Sequence, residues 1–457
     1  MLTTKSLKNV KNKVTPVQIL AIGFALLILL GGVILTLPIS SASGESTNFI
    51  DAVFTSTSAV CVTGLVTLDT GTYWSPFGKT VIITLIQIGG LGFMSFTTLI
   101  FLLLGKKITL KERMVMQEAM NSFSLQGLVK MVKYVITFTL IVELCGAIML
   151  SFQFIPEFGL GKGILYSLFH SISAFCNAGF DLMGQFSSIT GYSSNTLVIG
   201  TISAIIVIGG LGFFVWTDII NYIIKKRMNK HVKLSLHSKI VLTTTAILIV
   251  GGTIFMFLFE MNNPNTMADM NVKDKVLNST FAAISPRTAG FNSISTDAMT
   301  TAGKFLTIIL MFIGGSPGST AGGLKTVTLA VIIITIITFI RGKEEVELFE
   351  KRINKVTVHR SLVIGTICLG LVLLVIMLLA ITEPNAPFDM IVYEATSAFA
   401  TVGLTMGLTP QLSVAGKIII AITMYFGRVG PLTIALALGS KKLKAPIKYP
   451  EDKILVG

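Results

Sequence analysis

Eight long apolar runs constrain this chain more than any other feature. They lie near 17–37, 79–104, 131–154, 196–224, 238–259, 303–340, 361–382 and 416–439. Each reaches or exceeds the ~20 residues of a helix that crosses a bilayer. Charged residues are 13% of the 457 and hydrophobic residues 52%, whereas a soluble domain carries ~25% charge. So little polar surface cannot coat a soluble globule, and the chain is read as an all-α integral membrane protein with eight transmembrane helices. The first run follows Lys5, Lys8, Lys11 and Lys13 and precedes Ser41-Ala42-Ser43, the outline of a signal peptide. It is longer than a ~7–15-residue signal core, so a retained helix is expected.

Shorter semi-apolar segments sit between the runs, at about 48–60, 163–175, 275–285 and 388–399. Segments of ~10–14 residues are too short to span and suit re-entrant helices. The order long, short, long therefore recurs four times. Orientation follows from lysine and arginine: 27 of the 36 fall in 1–16, 105–133, 225–239, 341–360 and 441–457. The other loops carry mostly acids, among them Glu45, Asp51, Asp69, Glu157 and Asp181. The positive-inside rule places both termini in the cytoplasm and makes the short segments dip in from outside. This topology also accounts for the net charge of +14, and no nucleic-acid partner is expected.

The short segments share an ending. Thr57-Ser-Ala-Val-Cys-Val-Thr-Gly64, Ile172-Ser-Ala-Phe-Cys-Asn-Ala-Gly179, Ala283-Ile-Ser-Pro-Arg-Thr-Ala-Gly290 and Thr396-Ser-Ala-Phe-Ala-Thr-Val-Gly403 all close on glycine followed by Leu or Phe. The glycines are 115, 111 and 113 residues apart. A second mark follows each of them, at Gly89-Gly90, Gly209-Gly210, Gly314-Gly315 and Gly427-Arg428. Two marks in phase define four tandem repeats: 17–104, 131–224, 237–340 and 358–439, flanked by tails 1–16 and 440–457.

Each repeat holds two spans, so all four share one orientation and can surround an axis along the membrane normal. Non-helical backbone at membrane depth is tolerated only where it is buried or lines a watery path. Four such turns round one axis make a ring of carbonyls, faced by the partly negative C-terminal ends of the short helices. Glycine can take the φ > 0 conformation that turns successive carbonyls to one side. Rings of carbonyls replace the hydration shell of K⁺ in potassium channels. The candidate filter is Val62, Thr63, Gly64; Asn177, Ala178, Gly179; Thr288, Ala289, Gly290; and Thr401, Val402, Gly403. Close helix packing is the other use of such glycines.

With these marks the chain resembles the Ktr/Trk/HKT superfamily of potassium-translocating proteins, over all four repeats. Eight spans without an additional N-terminal pair resemble the KtrB-type membrane subunit of bacterial Ktr systems most. The resemblance implies K⁺ uptake across the bacterial plasma membrane through one pore per chain, and a homodimer. It also implies a cytosolic nucleotide-binding regulatory ring of KtrA or KtrC type, and sodium stimulation. Sodium-favouring HKT relatives carry serine at the first filter glycine; Gly64 is intact here, which implies K⁺ preference. None of the turns has the TVGYG of potassium channels, so a short filter is expected. A Na⁺-permeable or Na⁺/K⁺-cotransporting pore is the alternative.

Two features inside the spans point to a gate. The second span of repeat three is interrupted by Gly314-Gly315-Ser316-Pro317-Gly318-Ser319-Thr320-Ala321-Gly322-Gly323, then Leu324-Lys325. Proline and five glycines do not suit a helix interior. GxxxxGK[ST] fails because Leu324 separates Gly323 from Lys325. The stretch reads as a flexible plug beneath the filter, with a packing kink as the plain alternative. Arg428 stands where the other repeats have Gly90, Gly210 and Gly315. A cation inside a span faces a cavity or a partner, and here it would raise the barrier to K⁺; a structural ion pair is the alternative. The resemblance assigns both features to the gate. Arg287 is expected to brace its turn through a carboxylate, with Glu394 as a possible partner.

Enzyme or redox chemistry is not expected. The four cysteines and four histidines have no metal-ligand spacing, and no cofactor motif appears. Beyond the transported K⁺ no cofactor or metal is called for. The mixed-sign run 341–352 is expected to form an exposed helix suited to docking a cytosolic partner.

Overall fold

The computed structural model describes residues 15–92, 128–228 and 233–430, with the single positions Met114 and Pro450. Residues 1–14 of the N-terminal tail, the continuations of the runs past 92 and 430, most of loop 105–133 and nearly all of the C-terminal tail lie outside the described residues.

In chain order come α1 (Pro16–Thr36), α2 (Phe49–Cys61), α3 (Pro76–Leu91), α4 (Leu128–Phe158), α5 (Leu160–Cys176), α6 (Thr196–Leu211) and α7 (Phe213–Arg227). Then follow α8 (Leu236–Glu260), α9 (Val272–Ile284), α10 (Thr301–Phe312), α11 (Thr326–Ile340), α12 (Lys355–Thr382), α13 (Phe388–Ala400) and α14 (Val414–Val429). Local signals set their starts. Thr15 and Gln18 form a capping box ahead of Pro16, while Asn48, Ser75, Asn195, Ser235, Asn271, Thr300, Asn354 and Ser413 cap α2, α3, α6, α8, α9, α10, α12 and α14. Each of these side-chain oxygens accepts from an amide that the first helical turn leaves unpaired.

Among the described residues, α1, α4, α8 and α12 are long and apolar enough to cross a membrane, and the pair α6–α7 passes the same test if its 94° bend is counted as one broken span. Helix α12 illustrates their surface. Cys368, Val372, Val375 and Leu379 are buried, whereas Leu369, Leu373, Met377 and Ile381, four residues apart, are 53–74% exposed. An apolar stripe left uncovered on a helix suits lipid rather than water.

In repeats one, two and four the third helix departs from expectation. The runs read as continuous, interrupted only in repeat three. Instead α3 ends at Leu91 before Gly92 (φ 80°), α6 ends at Leu211 before Gly212 (φ 91°), and α14 ends at Val429 before Gly430 (φ 93°). In repeat three α10 gives way to the predicted loop, and α11 resumes at Thr326. Left-handed glycines stop a helix because no α-helical hydrogen bond continues through them. The signal is present as Gly-Gly-Leu-Gly-Phe at 89–93 and 209–213 and Gly-Arg-Val-Gly-Pro at 427–431.

The segment after α11 also corrects the sequence reading. In place of a helix, β1 (Glu347–Leu348) pairs antiparallel with β2 (Lys351–Arg352). Phe349 and Glu350 form the turn at φ 51° and 61°. Val346 and Ile353 are buried with Val331 beneath the hairpin, and Glu345 pairs with Arg352 at 3.1 Å and Lys355 at 3.7 Å. Two apolar residues flanking a tight turn satisfy this burial better than a charged helix would.

Candidate functional site

The short helices α2, α5 and α13 end alike. Val62, Asn177 and Thr401 adopt the left-handed conformation, with φ of 58°, 59° and 51°. The next amides, of Thr63, Ala178 and Val402, reach back to the carbonyls of Ser58, Ser173 and Ser397 at 2.8–2.9 Å. This is the Schellman closure, and it reverses the chain just below the helix end. In α9 the helix stops at Ile284, and Ala289 N–H reaches the Ser285 carbonyl at 2.9 Å. Thr288 there has φ 76°. The left-handed region costs a β-branched side chain about 1–2 kcal/mol, so Val62, Thr288 and Thr401 each hold local strain, which persists only where surrounding structure enforces it.

The four glycines that follow all have positive φ: Gly64 92°, Gly179 68°, Gly290 75° and Gly403 98°. They pack in a closed cycle. A Cβ on Gly64 would fall on the Ala178 carbonyl oxygen, and one on Gly179 would lie 2.8 Å from the Ala289 oxygen and 2.9 Å from Gly290 Cα. One on Gly290 would fall on the Val402 oxygen, and one on Gly403 on the Thr63 oxygen. Each glycine thus touches the residue before the next glycine, and the fourth returns to the first. Outside the cycle the chain closes through Lys417 Nζ to Asp51 Oδ1 at 2.7 Å and Tyr425 O–H to the Ala21 carbonyl at 2.8 Å.

The twelve residues picked from the sequence are therefore brought together, and all are buried. Their carbonyl oxygens share a property. None of the twelve accepts a hydrogen bond from any described residue. Buried backbone carbonyls are paired, with protein or water, in more than ~90% of cases, so twelve without a protein donor, in four segments that meet at one cycle of glycines, are open to a ligand. Oxygen-only, uncharged and ring-shaped, this donor set suits a hard cation.

The second mark packs against the ends of the short helices. A Cβ on Gly89, Gly209 or Gly427 would fall on the carbonyl of Val60, Phe175 or Phe399, the equivalent last-turn position of α2, α5 and α13. The glycine lets the third helix approach the short helix backbone to backbone. Loop 313–325 packs against these same helix ends. Ser316 N–H donates to the Gly210 carbonyl at 3.0 Å, Phe213 N–H to the Gly318 carbonyl at 3.0 Å, and Thr320 O–H to the Phe175 carbonyl at 3.2 Å. On its other side, a Cβ on Gly322 would fall on Thr401 Oγ1. The loop is held against two sequence repeats besides its own.

Arg428 joins the loop to a further element. Its Nη1 donates to the Thr320 carbonyl, and its Nη2 donates to the Gly89 carbonyl and, at 3.0 Å, to the Gly90 carbonyl. Lys325 Nζ donates to the Ala321 carbonyl at 2.6 Å, within its own loop. Neither cation makes an ion pair among the described residues.

The expected Arg287–Glu394 brace is absent. Arg287 Nη2 lies 3.5 Å from Thr245 Oγ1, while Glu394 accepts from Thr405 Oγ1 at 2.7 Å and from Thr409 Oγ1. Each side chain faces its own repeat: Arg287 turns to α8, and Glu394, mid-way along α13, takes hydroxyls from the loop that follows it. Arg287 lines a small cavity with Asn177, Thr245, Gly210 and Gly315. Sequence reasoning also missed four serines behind the turns, Ser58, Ser173, Ser285 and Ser397. Their signal was the Ser at the sixth position before glycine in three repeats and the fifth in repeat three.

The family described as "TrkH: Cation transport protein" matches residues 15–445. "Potassium/sodium uptake protein NtpJ" of Enterococcus hirae is 46% identical, covering 98% of this chain and 99% of that protein. "Ktr system potassium uptake protein B" of Bacillus subtilis is 44% identical over 97% of both chains. The solved structure of the potassium transporter TrkH from Vibrio parahaemolyticus superposes with a TM-score of 0.71, covering 95% of this chain and 87% of that one at 15% identity. That likeness extends the family assignment to the fold. On matching sequence, near full-length relatives and a shared helical fold, this chain belongs to the TrkH family of cation transport proteins.

Proposed function

We propose that the chain is the pore-forming subunit of a K⁺ uptake system, with four helix–pore loop–helix repeats and eight spans around one axis. The twelve unpaired carbonyls carry this reading. K⁺ gives up its water only where the replacement oxygens are already in place, and such a ring supplies them without a fixed charge that would hold the ion too tightly. Loop 314–323, Lys325 and Arg428 form the gate. Both termini lie in the cytoplasm of a bacterial plasma membrane. A homodimer and a cytosolic nucleotide-binding ring, like the components implied for Ktr systems, complete the transporter.

A second reading is a pore that also admits Na⁺, favoured by the printed name of the Enterococcus relative. Both are tested by cation flux into proteoliposomes holding the purified full chain and its regulatory ring, with K⁺ and Na⁺ offered singly and together. The expected result is K⁺ entry at least ~10-fold faster than Na⁺ at equal concentration, the ratio given by about 1.4 kcal/mol of discrimination. Equal entry supports the mixed-cation pore, and absence of flux with the ring bound rejects both.

A further inference from the structure

Ser58, Ser173 and Ser397 lie in the last turns of α2, α5 and α13, Ser285 directly follows the end of α9, and all four are buried. Each hydroxyl bonds to the turn after it, but in two senses. Ser58 Oγ accepts from Gly64 N–H at 3.0 Å, and Ser397 Oγ accepts from Gly403 N–H at 3.1 Å. Ser173 Oγ instead donates to the Phe180 carbonyl at 2.7 Å, and Ser285 Oγ donates to the Phe291 carbonyl at 2.5 Å. Phe180 and Phe291 directly follow Gly179 and Gly290, so their carbonyls come next after the twelve unpaired ones. The matching carbonyls of Leu65 and Leu404 accept no hydrogen bond from a described residue.

Resting on the K⁺ pore reading, we propose that the carbonyl stack has a fourth, outermost level in which Ser173 and Ser285 hold the protein's contribution to two carbonyls instead of four. The cycle of contacts gives this level its shape. Gly179 neighbours Gly290, and Gly403 neighbours Gly64, so the two withdrawn carbonyls are adjacent and the two open ones are adjacent. An arriving cation is bound on the Leu65 and Leu404 side and keeps its water on the other. Dehydration then proceeds in two stages, and the outermost position binds weakly enough to pass the ion on. A buried carbonyl that loses its only donor is left unpaired, and with its tether gone the cation is the partner it can turn to. Ser173 and Ser285 are thus positioning residues for the entrance, whereas Ser58 and Ser397 secure the amides of the ring itself.

The test is K⁺ uptake by the full chain with its regulatory ring, comparing Ser173→Ala/Ser285→Ala with Ser58→Ala/Ser397→Ala. Completing the outer ring is expected to lower the KM for K⁺ about fivefold and to lower the maximal rate, because an ion held at the entrance moves inward more slowly. Ser173→Thr/Ser285→Thr keeps both hydroxyls and is expected to keep wild-type values. The Ser58/Ser397 variant is expected to raise KM and to lose preference for K⁺ over Na⁺. Each single alanine variant, expected to shift KM part of the way, serves if the double variant does not fold. An unchanged or raised KM in folded Ser173 and Ser285 variants overturns the proposal. Failure of the underlying reading looks different: the wild-type chain itself would not distinguish K⁺ from Na⁺.

Discussion

Gly290→Ser is expected to abolish K⁺ preference while leaving a folded, membrane-inserted protein. The first atom of any side chain at this position falls on the Val402 carbonyl oxygen, 3.1 Å from Gly179 Cα and 3.2 Å from Gly403 Cα. All three obstacles are backbone, so no rotamer change relieves the clash. The left-handed φ of 75° adds about 1–2 kcal/mol of strain for a residue with a Cβ. Relief can come only by pushing the Val402 carbonyl out of the cycle, and on the proposed filter reading one misplaced carbonyl among four removes the fit to a dehydrated ion. The expected K⁺/Na⁺ flux ratio falls at least tenfold, to near unity. Gly251 and Gly370 supply the control. Each lies within a long helix, at φ < 0, with open space where a Cβ would go. Alanine at either is expected to leave transport unchanged and to raise thermal stability slightly, by up to ~1 kcal/mol from helix propensity. Loss of selectivity in these controls as well would show that the assay reports general loosening of the fold.

The cycle was legible in the sequence because a steric requirement leaves a trace at the residue that meets it. A position where a Cβ would strike a neighbouring backbone holds glycine, and four such positions in phase are visible without coordinates. The breaks at Gly92, Gly212 and Gly430 left an equally clear trace, yet the hydrophobicity of the surrounding runs hid it. Apolar periodicity reports burial in lipid, not straightness, and a broken helix is as apolar as an intact one. The Arg287–Glu394 pairing failed for a different reason. Charge complementarity narrows the choice of partner, but hydroxyls at Thr245, Thr405 and Thr409 were nearer, and nothing in residue type ranks a threonine below a carboxylate for reach. The two senses of the serine bonds were also beyond reach. Ser58, Ser173 and Ser397 stand at the same spacing from their glycines, and only the path of the backbone decides whether the hydroxyl meets an N–H or a carbonyl.

The second large effect is expected at Arg428. Three carbonyls, of Thr320, Gly89 and Gly90, converge on its guanidinium. The first belongs to loop 313–325, and the other two belong to the end of α3. Arginine's five donors in a fixed fork allow one side chain to join both elements, and carbonyls leave the charge itself unneutralised. The residue therefore joins the loop to α3 and keeps its positive charge; on the proposed gate reading it both latches the loop and raises the barrier to K⁺. Arg428→Met keeps much of the length and apolar stem but removes both. K⁺ flux without the proposed regulatory ring is expected to rise at least tenfold, and any added effect of that ring to shrink correspondingly. Lys325→Met provides the comparison, since Lys325 donates to carbonyls of its own loop only and removes charge without releasing a latch. If charge alone sets the barrier, the two variants raise basal flux alike; if the latch matters, Arg428→Met exceeds Lys325→Met several-fold. A fall in flux in folded Arg428→Met would mean that the guanidinium holds the conducting arrangement together, and would remove it from the gate.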